Sequence, residues 1–112
     1  MMTIYLFNSL ITPVNFDKET KAEFSVRKIS PEEAKRKIEK GYVCVVGHEP
    51  TVRAMESVIG MPLTCERRSV FMEPGDEGVH LFLKQRLPEG ITISREKMEE
   101  IGYWLVHSRR ER

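Results

Sequence analysis

The sequence predicts an α/β fold: a single domain, residues 1–112, with a mixed sheet of about five strands and flanking helices. Three observations carry that reading. Short apolar runs at 2–7, 42–46 and 79–85 have the length and composition of buried strands. Between them lie segments with helical spacing and explicit start and stop residues. A chain of 112 residues, 40% hydrophobic and 31% charged, supports one ordinary globular core.

The first run, 2–7, ends at Asn8-Ser9, small polar residues suited to a turn and to hydrogen bonding. Residues 10–21 contain Pro13 and a polar tail and read as a loop. Ala22 to Ile29 alternates loosely, as a strand does. Ser30-Pro31-Glu32-Glu33 opens a helix, with Ser30 as cap, Pro31 in the first turn and Glu33 completing a capping box. That helix runs to Lys40, and Gly41 stops it. Its basic run, Lys35-Arg36-Lys37, reads as a solvated face near the negative helix end.

Tyr42 to Val46 is the next apolar run, broken by Gly47. His48-Glu49-Pro50 then opens a second helix, with Val52, Met55, Val58 and Ile59 at helical spacing and Gly60 at its end. Ser69 to Met72 reads as a strand joined by a hairpin turn, 73–78, to a return strand over 79–85. On that strand Val79, Leu81 and Leu83 share one face, and His80, Phe82 and Lys84 the other. Ser94 caps a short third helix through Ile101. Tyr103 to His107 closes the sheet, and 109–112 is a charged tail. Strands 2–7, 42–46 and 79–85 are expected to be central.

Composition narrows the function classes. A net charge of +1 argues against a coat for long nucleic acid, which carries a basic excess. No apolar run approaches the roughly 20 residues that span a bilayer, and the opening Met1 to Phe7 lacks the basic region of a signal peptide. Cys44 and Cys65 read as two isolated thiols with no disulfide framework, so the expected compartment is the cytoplasm. His48, His80 and His107 are scattered without metal-ligand spacing, and no cofactor fingerprint appears, so neither metal nor cofactor is expected.

One place asks for chemistry. His48 sits where a strand tip meets a helix start, beside the free N–H groups that favour a phosphate or carboxylate. With Arg86, Glu89 and the polar tip Asn8-Ser9 it forms a set of residues at predicted strand ends. His80 and His107 read as strand residues facing solvent or a neighbour, and Arg86 with Glu89 reads equally well as a surface ion pair.

Three segments in order, Ile4-Tyr5-Leu6-Phe7-Asn8, Val46-Gly47-His48-Glu49-Pro50-Thr51 and Gln85-Arg86-Leu87-Pro88-Glu89-Gly90, give the chain a resemblance to the viral anti-CRISPR ring nucleases. The likeness runs over nearly the whole chain. It implies a mixed α/β fold, a homodimer and metal-independent cleavage of cyclic tetra-adenylate, the second messenger of type III CRISPR systems. It implies that His48 is the catalytic acid and that Arg86 and Glu89 belong to the active site. Ligand contacts are then expected among Asn8, Ser9, Thr12, Gly47, Thr51 and Gln85. Many relatives have Ala-Phe-Ser after the Asn, where this chain has Ser9-Leu10-Ile11-Thr12, so either Ser9 or Thr12 supplies the ligand hydroxyl. Glu89 is then expected either to orient or tune His48 or to contact a ribose hydroxyl. The alternatives are a non-catalytic protein that sequesters a cyclic nucleotide, or a small viral or plasmid regulatory dimer.

Overall fold

The computed structural model describes residues 2–112. Five strands form one sheet: β1 Ile4–Phe7, β2 Phe24–Lys28, β3 Val43–Cys44, β4 Glu77–Leu83 and β5 Tyr103–Arg110. Three helices accompany them: α1 Pro31–Ile38, α2 Glu49–Ile59 and α3 Arg95–Ile101. The strand order is β2-β5-β4-β1-β3. β3, β1 and β4 run parallel, whereas β5 runs antiparallel to both β4 and β2. The α/β fold with about five strands is therefore as expected.

Alternation along each strand decides which face the helices cover. Ile4 and Leu6, Val79 and Leu81, and Leu105 point to one side, where they meet Ala34 and Ile38 of α1, Ala54, Met55, Val58 and Ile59 of α2, and Met98 of α3. The helix signals act as read. Ser30 Oγ accepts from the Glu33 amide at 3.1 Å, and Ser94 Oγ from the Lys97 amide at 3.1 Å. Gly60 ends α2 with φ 86°, a left-handed conformation that suits glycine. Glu33 does not close the capping box, because its carboxylate pairs with Arg27.

Four expectations need correction. The run 42–46 forms only a two-residue strand, and it is an edge strand: its pairing with β1 ends at Leu6–Cys44, and on its other side only the isolated bridge to Cys65 meets it. Residues 69–72 form no strand. The return strand finds β1 and β5 as its neighbours instead, and the Met72 amide donates to Pro13 O at 2.9 Å. The supposed tail belongs to β5 as far as Arg110, whose side chain is 1% exposed. Finally, Cys44 and Cys65 are a disulfide, with Cα atoms 4.6 Å apart. The chain leaving α2 turns back alongside β3, where Cys65 makes an isolated parallel bridge to Cys44. This segment covers the outer edge of β3, which would otherwise offer unpaired backbone groups.

The second face of the sheet is polar inside. The loops at 8–19 and 72–76 cross it and bury Phe7, His80, Ser108, Arg110 and Met72. Arg110 donates to Met72 O at 2.6 Å, Arg112 O at 3.0 Å and Glu19 Oε1 at 2.6 Å. Among the described residues no buried side-chain polar atom lacks a partner, so this interior is hydrogen-bonded throughout.

Candidate functional site

Parallel pairing of β3, β1 and β4 brings their carboxyl ends to one end of the sheet, and the connections leaving those ends carry the residues singled out above. Asn8-Ser9 follow β1, Gly47-His48 follow β3, and Gln85-Arg86 follow β4. The same end receives the N-terminus of α2. Ligands of open α/β sheets collect at such carboxyl ends, where loops and helix N-termini meet.

A cavity of about 410 Å³ opens there. Asn8, Ser9, Thr51, Gln85 and Arg86 supply its polar lining, and Met55, Leu81, Leu83 and Met98 are among the apolar residues beside them. The apolar part is the upper end of the helix-covered core, left open between α2, α3 and the end of β4. It was legible only as core, because the alternation that buries Leu81 and Leu83 says nothing of where the packing stops. A hollow with polar groups on one side and a hydrophobic floor suits a ligand that has both an ionic part and a flat apolar part.

His48 is the exposed N-cap residue of α2. Its side chain bonds no backbone amide; Nδ1 lies 2.8 Å from Thr51 Oγ1 instead. Thr51 is one turn on and nearly buried, so it fixes the imidazole through one nitrogen. Nε2 is left for another partner. Thr51 also lines the cavity, which links the histidine to the Ser9 and Arg86 side of the site.

Other expected members fall elsewhere. Glu89 stands exposed in the turn at 88–90, off the cavity lining, and among the described residues it pairs with no cation; the Arg86–Glu89 ion pair is not formed. Thr12 is exposed on the long loop and does not line the cavity. Of the two hydroxyl candidates, Ser9 is the one at the cavity. Gly47 borders a different, smaller hollow with Val46, Glu49 and Cys65.

Two contributors were missed by sequence reading. A Cβ placed on Gly47 would lie 2.4 Å from Arg67 Cβ, so the Arg67 chain rests directly on the residue before His48. Arg67 is exposed and, among the described residues, makes no ion pair. Its stem is thus fixed beside the residue before His48, and its guanidinium has no carboxylate partner among the described residues. Nothing in the local pattern Glu66-Arg67-Arg68 distinguishes it from an ordinary charged loop.

The second is His80. Its ring is fully buried, stacked on Phe7 with centroids 5.0 Å apart. Nδ1–H donates to Ser9 O at 2.9 Å, and Nε2 lies 2.7 Å from Ser108 Oγ, which donates to it. Burial pushes its pKa below the ordinary imidazole range; the bond to Ser9 opposes that shift and nearby His107 adds to it. A neutral imidazole thus clamps the backbone of Ser9 at the cavity wall. His107 likewise faces a neighbour, Glu77, at 2.5 Å, and burial lowers its pKa against the pull of that carboxylate. Among the described residues no cluster of three His, Cys, Asp or Glu side chains has the arrangement of a metal site.

Residues 4–105 match the family described as STIV B116-like, and the chain belongs to that family. Protein ORF117 of Acidianus two-tailed virus is 31% identical over 113 residues, covering 97% of this chain and 94% of its own length. Protein 26 of Sulfolobus islandicus filamentous virus is 32% identical over 106 residues, covering 91% of this chain and 88% of its own. The solved structure of B116 of Sulfolobus turreted icosahedral virus matches with a TM-score of 0.72 at 20% identity, covering 96% of this chain and 98% of that one. At that identity the likeness is one of fold.

Proposed function

We propose that this member of the STIV B116-like family is a ring nuclease, which opens cyclic tetra-adenylate by attack of a ribose 2′-OH on the adjacent 3′-phosphate. The observation that carries the reading is His48, held through Nδ1 by Thr51 at the head of α2, next to a cavity lined by Ser9 and Arg86. No helix among the described residues is long and apolar enough to cross a membrane, and the proposed setting is the cytoplasm of a host cell.

The substrate brings its own nucleophile, so no water has to be activated by a metal. The new bond joins the 2′-oxygen to phosphorus as the hydroxyl proton passes to solvent water, and the bond to the departing 5′-oxygen breaks. That oxygen takes its proton from Nε2 of the imidazolium, and the products end in a 2′,3′-cyclic phosphate and a 5′-OH. An imidazole suits this role near neutral pH, and Thr51 Oγ1 accepts from Nδ1–H while Nε2 gives up its proton. Arg86 binds phosphate oxygens through its forked N–H groups, a contact that strengthens as charge builds on the phosphorane. Arg67, lying on Gly47, offers a second cation on the His48 side. The apolar floor of Met55, Leu81 and Leu83 accommodates a purine face.

Assembly follows from size. A cavity of about 410 Å³ is at the lower end of what a drug-sized ligand fills, and four linked nucleotides are larger than such a ligand. A homodimer with its two-fold axis through the ring would present His48 and Arg86 at two opposite phosphates. The exposed side chains of Val26 and Trp104, on the sheet face away from the helices, are apolar surface available to a second copy.

Sequestration without cleavage is the second reading, favoured by one observation: Glu89 stands off the cavity, so the expected His48–Arg86–Glu89 trio is not assembled. Incubation with labelled cyclic tetra-adenylate in EDTA separates the two. Linear di-adenylate products support the nuclease. Tight binding of an unchanged ring supports sequestration, and no binding at all removes both.

A further inference from the structure

The segment that carries Arg67 has little to hold it. From Arg67 to Phe71 the chain is outside every helix and strand, and among the described residues it makes no hydrogen bond of its own. Among the described residues its backbone is hydrogen-bonded only at its ends. Met72 N donates to Pro13 O at the far end, and at the near end Glu66 N donates to Cys44 O at 3.0 Å, next to the Cys44–Cys65 disulfide. Cys44 belongs to β3, which leads through Val45 and Val46 to Gly47 and His48. The disulfide therefore joins the segment bearing Arg67 to the strand bearing His48, two residues from one and four from the other.

Gly47 shows how close that apposition is. Its missing Cβ would lie 2.4 Å from Arg67 Cβ and 3.1 Å from both Cγ and Cδ. The backbone before His48 and the aliphatic stem of Arg67 are in contact only because position 47 has no side chain. If the segment moved off β3, the Arg67 stem would leave Gly47, since among the described residues its guanidinium makes neither a salt bridge nor a hydrogen bond that would hold it.

We propose that the Cys44–Cys65 disulfide is a positioning element of the site: it holds Arg67 against Gly47 so that its guanidinium meets a ligand phosphate, and its reduction weakens ligand binding. This rests on reading the site as one for cyclic tetra-adenylate. A dithiol reductant supplies the chemistry. The Sγ–Sγ bond breaks, two electrons and two protons pass from the dithiol to the cysteines, and the reagent is left as its own disulfide. Cys65 is half-buried, so the bond is within reach of a small reagent.

The test compares oxidised and dithiothreitol-reduced wild type, with Cys65→Ser and Arg67→Ala, at a temperature where circular dichroism shows every sample folded. The Kd for cyclic tetra-adenylate should rise about tenfold or more on reduction, the scale of a charge-assisted hydrogen bond. Oxidised Cys65→Ser should match reduced wild type. Arg67→Ala should bind as weakly as reduced wild type and lose nothing further on reduction; a purely stabilising disulfide would not produce that insensitivity. Hydrogen exchange supplies a readout that needs no ligand: the Glu66 amide should exchange faster on reduction while amides of β1 and β4 do not change. Unchanged exchange at Glu66, unchanged affinity, or an Arg67→Ala protein that still weakens tenfold on reduction would each overturn the proposal. If the oxidised wild type fails to bind the ring, the reading of the ligand falls, and the exchange experiment alone decides whether the disulfide holds the Arg67 segment.

Discussion

The two halves of the sheet use the same kinds of residue to opposite ends. In the parallel half, β3-β1-β4, the imidazole of His48 is exposed and tied through one nitrogen, and Arg67 and Arg86 make no ion pair among the described residues. In the antiparallel half, β4-β5-β2, His80 is sealed in with both nitrogens engaged, and Arg110 is buried with three acceptors. A polar group whose bonds are all made inside the protein has nothing left to offer a ligand. One with a free donor at the end of a parallel sheet does. The difference lies in completion of hydrogen bonding, which residue type cannot reveal.

The sharpest way to break the comparison is His48→Ala. Cleavage of cyclic tetra-adenylate should fall about 10²–10⁴-fold, the usual contribution of a general acid, with ring affinity little changed. An equal loss of affinity measured by titration calorimetry would make His48 a binding residue instead. Arg86→Ala should cost about tenfold or more in affinity and further in rate, because phosphate is present in ground and transition states. Normal kinetics in that variant would remove the 85–90 segment from the site.

The sealed half predicts losses of stability rather than of rate. Gly78 leaves room for the His80–Ser108 bond; a Cβ there would lie 2.7 Å from both His80 Nε2 and Ser108 Oγ. Gly78→Ala should therefore destabilise by about 1–3 kcal/mol in a urea titration, the cost of leaving a buried polar group without its partner. An unchanged midpoint would show that this interior is more yielding than its packing suggests.

The smallest effect is with pH. His80 and His107 have folded pKa values below the ordinary imidazole value near 6.5, so the unfolded chain takes up protons that the folded one refuses. Stability is fully present above about pH 6.5 and declines as the pH falls towards their folded values, by at most about 1.4 kcal/mol per pH unit for each group. His80→Gln should lose part of this acid sensitivity in urea titrations run across that pH range. Unchanged sensitivity in that variant would remove His80 as a source of it.

Much of this molecule was determined by local sequence. Ser30, Ser94 and Gly60 mark helix ends because their cap chemistry acts within one turn. The run at 79–85 was legible as a strand, observed as β4 Glu77–Leu83, because period-two alternation decides its covered face wherever its neighbours lie. His48, Ser9, Thr51 and Arg86 could be picked out because each sits next to a strand end or helix start that local signals reveal. Sequence spacing did not decide which strands pair, which is why 42–46 was misplaced as central and 69–72 as a strand. Nor did it show that Cys65 meets Cys44 across 21 residues, or that Arg67 rests on Gly47. Those contacts exist only once α2 has packed and the chain has turned back along β3. His80 and Arg110 make the same point from the interior: whether a charged or titratable side chain is solvated or buried depends on loops that arrive from more than 70 residues away. Local chemistry set the elements, and long-range packing chose which polar groups were satisfied inside the protein and which kept free donors.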